Sequence, residues 1–202
     1  MTPEDISFHP LTPNRWPDFE HLFGDRGAVG GCWCMWWRLK GSEFEAQAGE
    51  ANQRAMKAIV ESGEVPGILA YQMELPVGWC SVAPRERFGR LNRSPILKPV
   101  DEKPVWSVAC FFIHRAHRGQ GLSAALLGAA NEYVNEQGGR IVEGYPIAPR
   151  TGGELPNSSF FTGHLTTFQA AGFVEVARRS ETRPIMRCDL TQVFAHRDRG
   201  RT

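Results

Sequence analysis

Residues 105–114, VWSVACFFIH, are apolar at almost every position and lack the in–out alternation of a half-exposed strand. A strand of that kind is buried on both faces, so the sheet holding it must be covered by other elements on both sides. Glycines follow at positions 119 and 121. Beyond them, Leu122, Ala125, Leu126, Ala129, Ala130 and Tyr133 recur at three- and four-residue spacing, which places them on one face of a helix over residues 122–137. A buried strand, a tight glycine turn and an amphipathic helix in direct succession point to an α/β fold.

The rest of the chain supplies elements that extend this unit. Residues 6–11 alternate as a strand, 15–23 read as a short helix, and four glycines within 24–31 break the pattern. Residues 42–62 read as one helix with Ser42 as N-cap and Gly63 just past its end. The runs 67–73 and 77–82 flank Glu74-Leu75-Pro76 and form a hairpin, and the basic, proline-bearing segment 84–104 has no period and reads as a long loop. Strands at 140–147, 173–178 and 185–190 and a helix at 163–171 closed by Gly172 complete the pattern, and the basic tail is expected to fray. The expectation is a twisted mixed sheet of about six or seven strands flanked by helices.

A chain of 202 residues with 42% apolar content suits one domain spanning residues 1–202. Within it, 1–66 form a helical portion, 67–190 the core and 191–202 a flexible tail. Basic residues number 23 against 22 acidic ones, so no net field draws the protein to nucleic acid or an anionic membrane, and a small partner is expected. No apolar run is long enough to span a membrane, and the polar start carries no signal pattern, which suggests a cytoplasmic location. The cysteines number five and lie in apolar surroundings without a CxxC pair, which suits reduced thiols better than a disulfide framework.

The chemistry is concentrated at the glycine turn. Amides at a helix N-terminus lack intrahelical partners and sit at the positive end of the dipole, so they favour a phosphate group, and Arg115 and Arg118 add positive charge nearby. A glycine pair alone also serves any tight strand-to-helix connection. The turn lacks the Gly-Lys-Ser/Thr ending of a P-loop and the spacing of G-x-G-x-x-G.

Arg118-Gly119-Gln120-Gly121-Leu122-Ser123 resembles the phosphate turn Arg/Gln-x-x-Gly-x-Gly/Ala of the GNAT superfamily of N-acetyltransferases. The likeness extends to Ile113, five residues before the motif arginine, and to Phe168-Gln169-Ala170-Ala171-Gly172-Phe173, similar to the family's aromatic-x-x-x-Gly-Phe ending of a later helix. It implies a GNAT-like fold with acetyl-CoA as co-substrate, making residues 67–190 the coenzyme-binding core and 1–66 the acceptor side. By the same resemblance, the backbone of Phe111, Phe112 and Ile113 pairs with the pantetheine arm and acetyl carbonyl. Arg118 and the amides of Gly119, Gln120, Gly121, Leu122, Ser123 and Ala124 then hold the pyrophosphate.

The implied activity is acetyl transfer to an amine of a small molecule or peptide N-terminus, which needs a proton acceptor for the ammonium and a donor for the departing thiolate. Glu143 resembles a catalytic glutamate of some members, with a hydrogen-bonded structural residue as the alternative. Phe168 stands where many members carry the proton-donating tyrosine, which leaves Tyr145, His164 or water for that part, or else an acyl-CoA-binding or sensing domain without turnover.

Cys32-Trp33-Cys34-Met35-Trp36-Trp37-Arg38 offers two further readings. Trp33, Trp36, Trp37 and Arg38 line an acceptor pocket for an apolar body with a carboxylate, or the cluster packs as core or as a homodimer patch. The two thiols with a histidine such as His21 suit a soft metal or a redox module less well, because zinc sites prefer wider cysteine spacing, and no metal is expected.

Overall fold

The computed structural model describes residues 6–148 and 157–199. Its strands are β1 (Ile6–Pro10), β2 (Gly67–Gln72), β3 (Leu75–Pro84), β4 (Trp106–Ile113), β5 (Ile141–Gly144), β6 (Val174–Arg178) and β7 (Pro184–Asp189). They form one seven-stranded sheet in the order β1-β2-β3-β4-β5-β7-β6, in which β4 and β5 are parallel and every other neighbouring pair is antiparallel. A parallel pair needs a crossover, and α5 (Leu122–Glu136) supplies it.

Both faces of β4 are covered, as its unbroken apolar run requires. On one face Leu126, Leu127 and Ala130 of α5 pack over Val82, Val108 and Val142. Burying each of those leucines contributes roughly 1.5–3 kcal/mol. Phe168 of α6 (Leu165–Ala170) and Leu190 of α7 (Leu190–Arg199) join the same cluster. On the other face α1 (Trp16–Phe23) and α3 (Glu50–Glu61) close over Leu69, Tyr71 and Trp79.

Four expectations are corrected. The single helix over 42–62 is two helices, α2 (Gly41–Ala46) and α3, and Ser42 lies inside the first turn of α2 rather than at its N-cap. The break has a packing cause: the Gly49 N–H donates to the Gly31 carbonyl at 3.0 Å, and a Cβ on Gly31 would stand 2.2 Å from that nitrogen. The segment 84–104 is a cover over the sheet, carrying α4 (Gly89–Arg93) and packing Phe88, Leu91 and Leu97 over Ala83, Ala109 and Ile185. Of the tail expected to be flexible over residues 191–202, the part up to residue 199 lies in α7, with Phe194 packed against the α5-side core, and 200–202 lie outside the described residues. Finally, β5 stops at Gly144 instead of reaching residue 147. Two residues on stands Pro146, which has no N–H to donate to a ladder, and the Ile147 N–H turns to the Gly163 carbonyl instead.

Candidate active site

The early end of β5 exposes the neighbouring strand. The parallel ladder runs only from Trp106↔Val142 to Val108↔Gly144, while β4 continues to Ile113. Beyond Val108 the β5-side edge of β4 therefore has no strand partner among the described residues. A bulge lies at the same place. Ser81 pairs with Cys110 and Val82 with Val108, so Ala109 is one residue extra. Ala109 and Cys110 both face away from α5, whereas Phe111 faces it, 6.2 Å from Phe168 between ring centroids.

The open edge runs into the glycine turn. Gly119 and Gly121 have φ of 72° and 80°, and a Cβ on either would meet nothing within 4 Å, so the backbone angle rather than space calls for glycine. The turn is tied internally: Arg118 Nε donates to the Ile113 carbonyl at 3.0 Å, and Gln120 Nε2 donates to the Ala116 carbonyl at 3.0 Å. The amides of residues 119–121 make no hydrogen bond among the described residues, and they stand at the positive end of the α5 dipole. Ala124 departs from the expectation, because its N–H already donates to the Gly121 carbonyl at 3.0 Å.

A cavity of about 480 Å³ opens between this edge, the turn and the start of α6. Phe111, Phe112, Ile113, Arg118, Gly119, Gly121, Leu122 and Ser123 line it, whereas Gln120 and Ala124 do not. His117 and Gly163 line it as well. Val29, Phe160, Phe161 and His164 complete the wall. Of these last four, only His164 is singled out by the sequence; the others come from glycine-rich stretches whose sole signal is an aromatic pair at 160–161. His164 is exposed and stacks on Phe160 with centroids 4.0 Å apart, one turn ahead of Phe168. Phe168 is fully buried, and a Cβ on Gly144 would lie 2.0 Å from its ring, so its part is packing.

Glu143 and Tyr145 are the main correction. Both are 0% exposed and neither lines the cavity. Arg85 Nη1 donates to Glu143 Oε1 at 2.6 Å, Arg187 Nε to Oε2 at 2.8 Å, and the Tyr145 hydroxyl to Oε1 at 2.7 Å. Arg187 also grips Asp101 at 2.7 and 3.0 Å, so the 84–104 cover is fastened to the sheet through this chain of charges. With both oxygens bound to guanidinium groups and no exposed surface, the Glu143 carboxylate is out of reach of an amine in the cavity. Burial, then the adjacent Glu143 charge, pushes the Tyr145 phenol well above its ordinary range, against donation of its proton.

The aromatic cluster divides. Trp33 is buried against Trp16, Phe19 and Phe23 with its indole on Gly27, and so is core rather than pocket wall. Trp36 lies under Arg90, 3.7 Å from Cζ to ring centroid, and Arg38 is paired with Glu64 at 2.7 Å. Trp37 is buried but touches the cavity wall through Phe161, at 6.2 Å between ring centroids. None of Trp33, Trp36, Trp37 and Arg38 lines the cavity itself. Arg85 and Arg87, the first basic residues of the 84–104 segment, pair with Glu143 and Glu64. Among the described residues no group of three or more His, Cys, Asp and Glu side chains is placed to hold a metal ion.

The sequence over residues 33–144, more than half of the chain, matches the model of the acetyltransferase (GNAT) family. The chain belongs to this family. It is thereby an acyltransferase, and the fold agrees. A GNAT-family acetyltransferase from Listeria monocytogenes superposes with a TM-score of 0.56 at 11% identity, covering 91% of this chain and 94% of that one. A putative acetyltransferase, YncA, from Salmonella typhimurium, solved with acetyl-CoA, gives 0.51 at 11% identity over 92% and 94% of the two chains. The PaiA N-acetyltransferase from Thermoplasma acidophilum, solved with coenzyme A, gives 0.51 at 10% identity over 94% and 99%. No curated protein sequence matches the chain. Among the described residues no helix is long and apolar enough to cross a membrane.

Proposed function

We propose that this GNAT-family protein transfers the acetyl group of acetyl-CoA directly to an amine of a small molecule or peptide N-terminus in the cytoplasm. The observation that carries the reading is the open edge of β4 running into the glycine turn at the N-terminus of α5, with a cavity between them. An amide-bearing pantetheine arm adds to an open strand edge as a further strand would. A pyrophosphate is matched by unpaired amides at a helix start, with the Arg118 guanidinium beside them. Complexes of YncA with acetyl-CoA and of PaiA with coenzyme A support the choice of co-substrate.

The reaction asks for attack of a neutral amine on the thioester carbon, cleavage of the C–S bond and protonation of the departing thiolate. His164 is the titratable side chain on the α6 side of the cavity and is our assignment for the proton donor in place of the absent tyrosine.

Two measurements test the reading. Coenzyme A at a hundred times its dissociation constant stabilises a binder by about 2.7 kcal/mol, which raises the melting temperature of a chain this size by roughly 5–11 °C. Gly121→Glu, which sets a branched backbone at φ 80° and a negative charge at the phosphate position, is expected to abolish that shift; an undiminished shift refutes the assigned site. Thiol release from acetyl-CoA with a panel of amines then separates turnover from the alternative, an acyl-CoA-binding domain that shows the shift and releases no thiol.

A further inference from the structure

Away from the phosphate turn the cavity wall is apolar. Phe112 faces away from α5 and packs on Phe23 of α1, with ring centroids 5.1 Å apart. Phe161 packs on the same side of the sheet, 6.2 Å from Trp37 between centroids. Phe160 adds a ring stacked on His164, and Val29 reaches in from the loop between α1 and α2. These four side chains come from three separate parts of the chain, and all line the cavity. Val29 is the one that core packing does not explain, because it is 65% exposed. Its neighbour Ala28 packs against the α1–α3 core with φ 66° and ψ −102°, a costly setting for a residue with a Cβ. Close contacts hold the loop in that shape. Gly27 lies against Trp33, where a Cβ would stand 2.3 Å from the indole nitrogen. On the other side Asn52 Nδ2 donates to the Gly31 carbonyl at 3.0 Å, and the Cys32 N–H donates to the Val29 carbonyl at 3.2 Å. Strain of this kind persists only where the surroundings over-determine it, and here it sets an apolar side chain on the cavity wall.

Resting on the acetyltransferase reading above, we propose that the acceptor is an amine carried on an apolar, uncharged body, and that Val29 is a specificity-determining residue for it. Phe112, Phe160, Phe161 and Val29 gain by covering apolar surface. Their side chains offer no hydrogen-bonding partner, so a second charged group on the acceptor would lose its water without compensation. The acceptor's one polar group is then the amine itself. Apolar surroundings also favour its neutral form, which is the form that attacks a thioester. Two sources present this chemistry, a free arylalkyl or alkyl amine and a peptide whose first residue is apolar.

The test uses the full chain and begins without chemistry. Its coenzyme A complex is titrated calorimetrically with phenethylamine, hexylamine and cadaverine, the last matching hexylamine in length but ending in a second ammonium. The two apolar amines are expected to bind about ten-fold more tightly than cadaverine, or better. With acetyl-CoA, kcat/KM is expected to follow the same order. Turnover of phenethylamine or of phenylalanylglycinamide supports the proposal, and the faster of the two names the source. Val29 has ordinary extended angles, φ −112° and ψ 119°, and is exposed, so replacing it does not disturb the fold. Val29→Ala is expected to weaken hexylamine binding about 4-fold if one methyl is covered and about 15-fold if both are. Val29→Asp narrows the gap between hexylamine and cadaverine by about ten-fold, since it removes apolar cover and supplies a partner for the second ammonium. Val174→Ala, at a valine just as exposed on β6 that does not line the cavity, leaves the preference as it is. Cadaverine binding as tightly as hexylamine overturns the proposal, and so does a Val29→Asp protein with the wild-type preference. Failure of both apolar amines to bind the coenzyme A complex overturns it too. Selective binding without thiol release from any amine sinks the transferase reading and leaves the apolar site standing, so the two failures are distinguishable.

Discussion

Replacing Glu143 with glutamine separates a structural carboxylate from a catalytic one. The side chain is 0% exposed and bonded to Arg85 at 2.6 Å and Arg187 at 2.8 Å. Glutamine preserves the volume and most of the hydrogen-bonding atoms but removes the charge. Arg187 keeps Asp101, whereas Arg85 keeps only neutral partners, the Tyr145 hydroxyl and the carbonyls of Leu91 and Leu97. Breaking a buried pair from one side costs about 3–5 kcal/mol, and the conservative shape places Glu143→Gln near the lower end. For a chain of this size, about 3 kcal/mol lowers the melting temperature by roughly 6–12 °C. Scanning calorimetry reads that loss, and steady-state kinetics well below the transition reads the other half of the argument. Removing a true general base costs about 10²–10⁴ in rate, whereas a clamp that never meets the amine leaves kcat within a few-fold and the pH profile in place. A Glu143→Gln protein that melts like the wild type but loses its rate and the acidic limb of its pH profile refutes the assignment.

Further outcomes follow from the same geometry. Phe168→Tyr is expected not to restore a proton donor, because the ring is fully buried against Gly144 and Gly163; an unpaired hydroxyl there lowers stability by about 1–3 kcal/mol, measurable by urea denaturation. His164→Ala lowers kcat about 100-fold if it protonates the thiolate, and poor-leaving thioesters suffer most; an unchanged rate with every thioester removes it from the reaction. Gly31→Ala meets the Gly49 nitrogen at 2.2 Å and adds a Cβ at φ 68°, so it is expected to loosen the α2–α3 joint and lower the melting temperature. Burial first of all pushes the Cys32 and Cys188 thiols up to about 11 from an ordinary 9.0. The unfolded chain then loses protons first as pH rises above 9, so their contribution is complete below pH 9 and is lost toward pH 11. Denaturation midpoints across that window check the sign.

What the sequence determined by itself is the unit whose rules are local. An apolar run without alternation dictates a strand covered on both faces, glycines at 119 and 121 meet a turn that needs positive φ, and the three-four spacing after Leu122 dictates the helix. Each depends on neighbours a few residues away, so composition and spacing suffice. Most coenzyme-side residues named from that unit, Phe111 to Ile113 and Arg118 to Ser123 except Gln120, line the cavity for the same reason.

The acceptor side obeys another logic. Whether Glu143 is a base or a clamp depends on which cations meet it, and these arrive from Arg85, 58 residues before it, and Arg187, 44 residues after it. Trp33 reads as pocket or core with equal ease until α1 closes over it. The hydrogen bond from Trp79 Nε1 to Cys34 Sγ joins a strained loop to a strand 45 residues on, and no short spacing announces it. Only the tertiary structure decides such matters, because burial and the charge of a side chain are set by groups distant in sequence that the fold brings within a few ångströms.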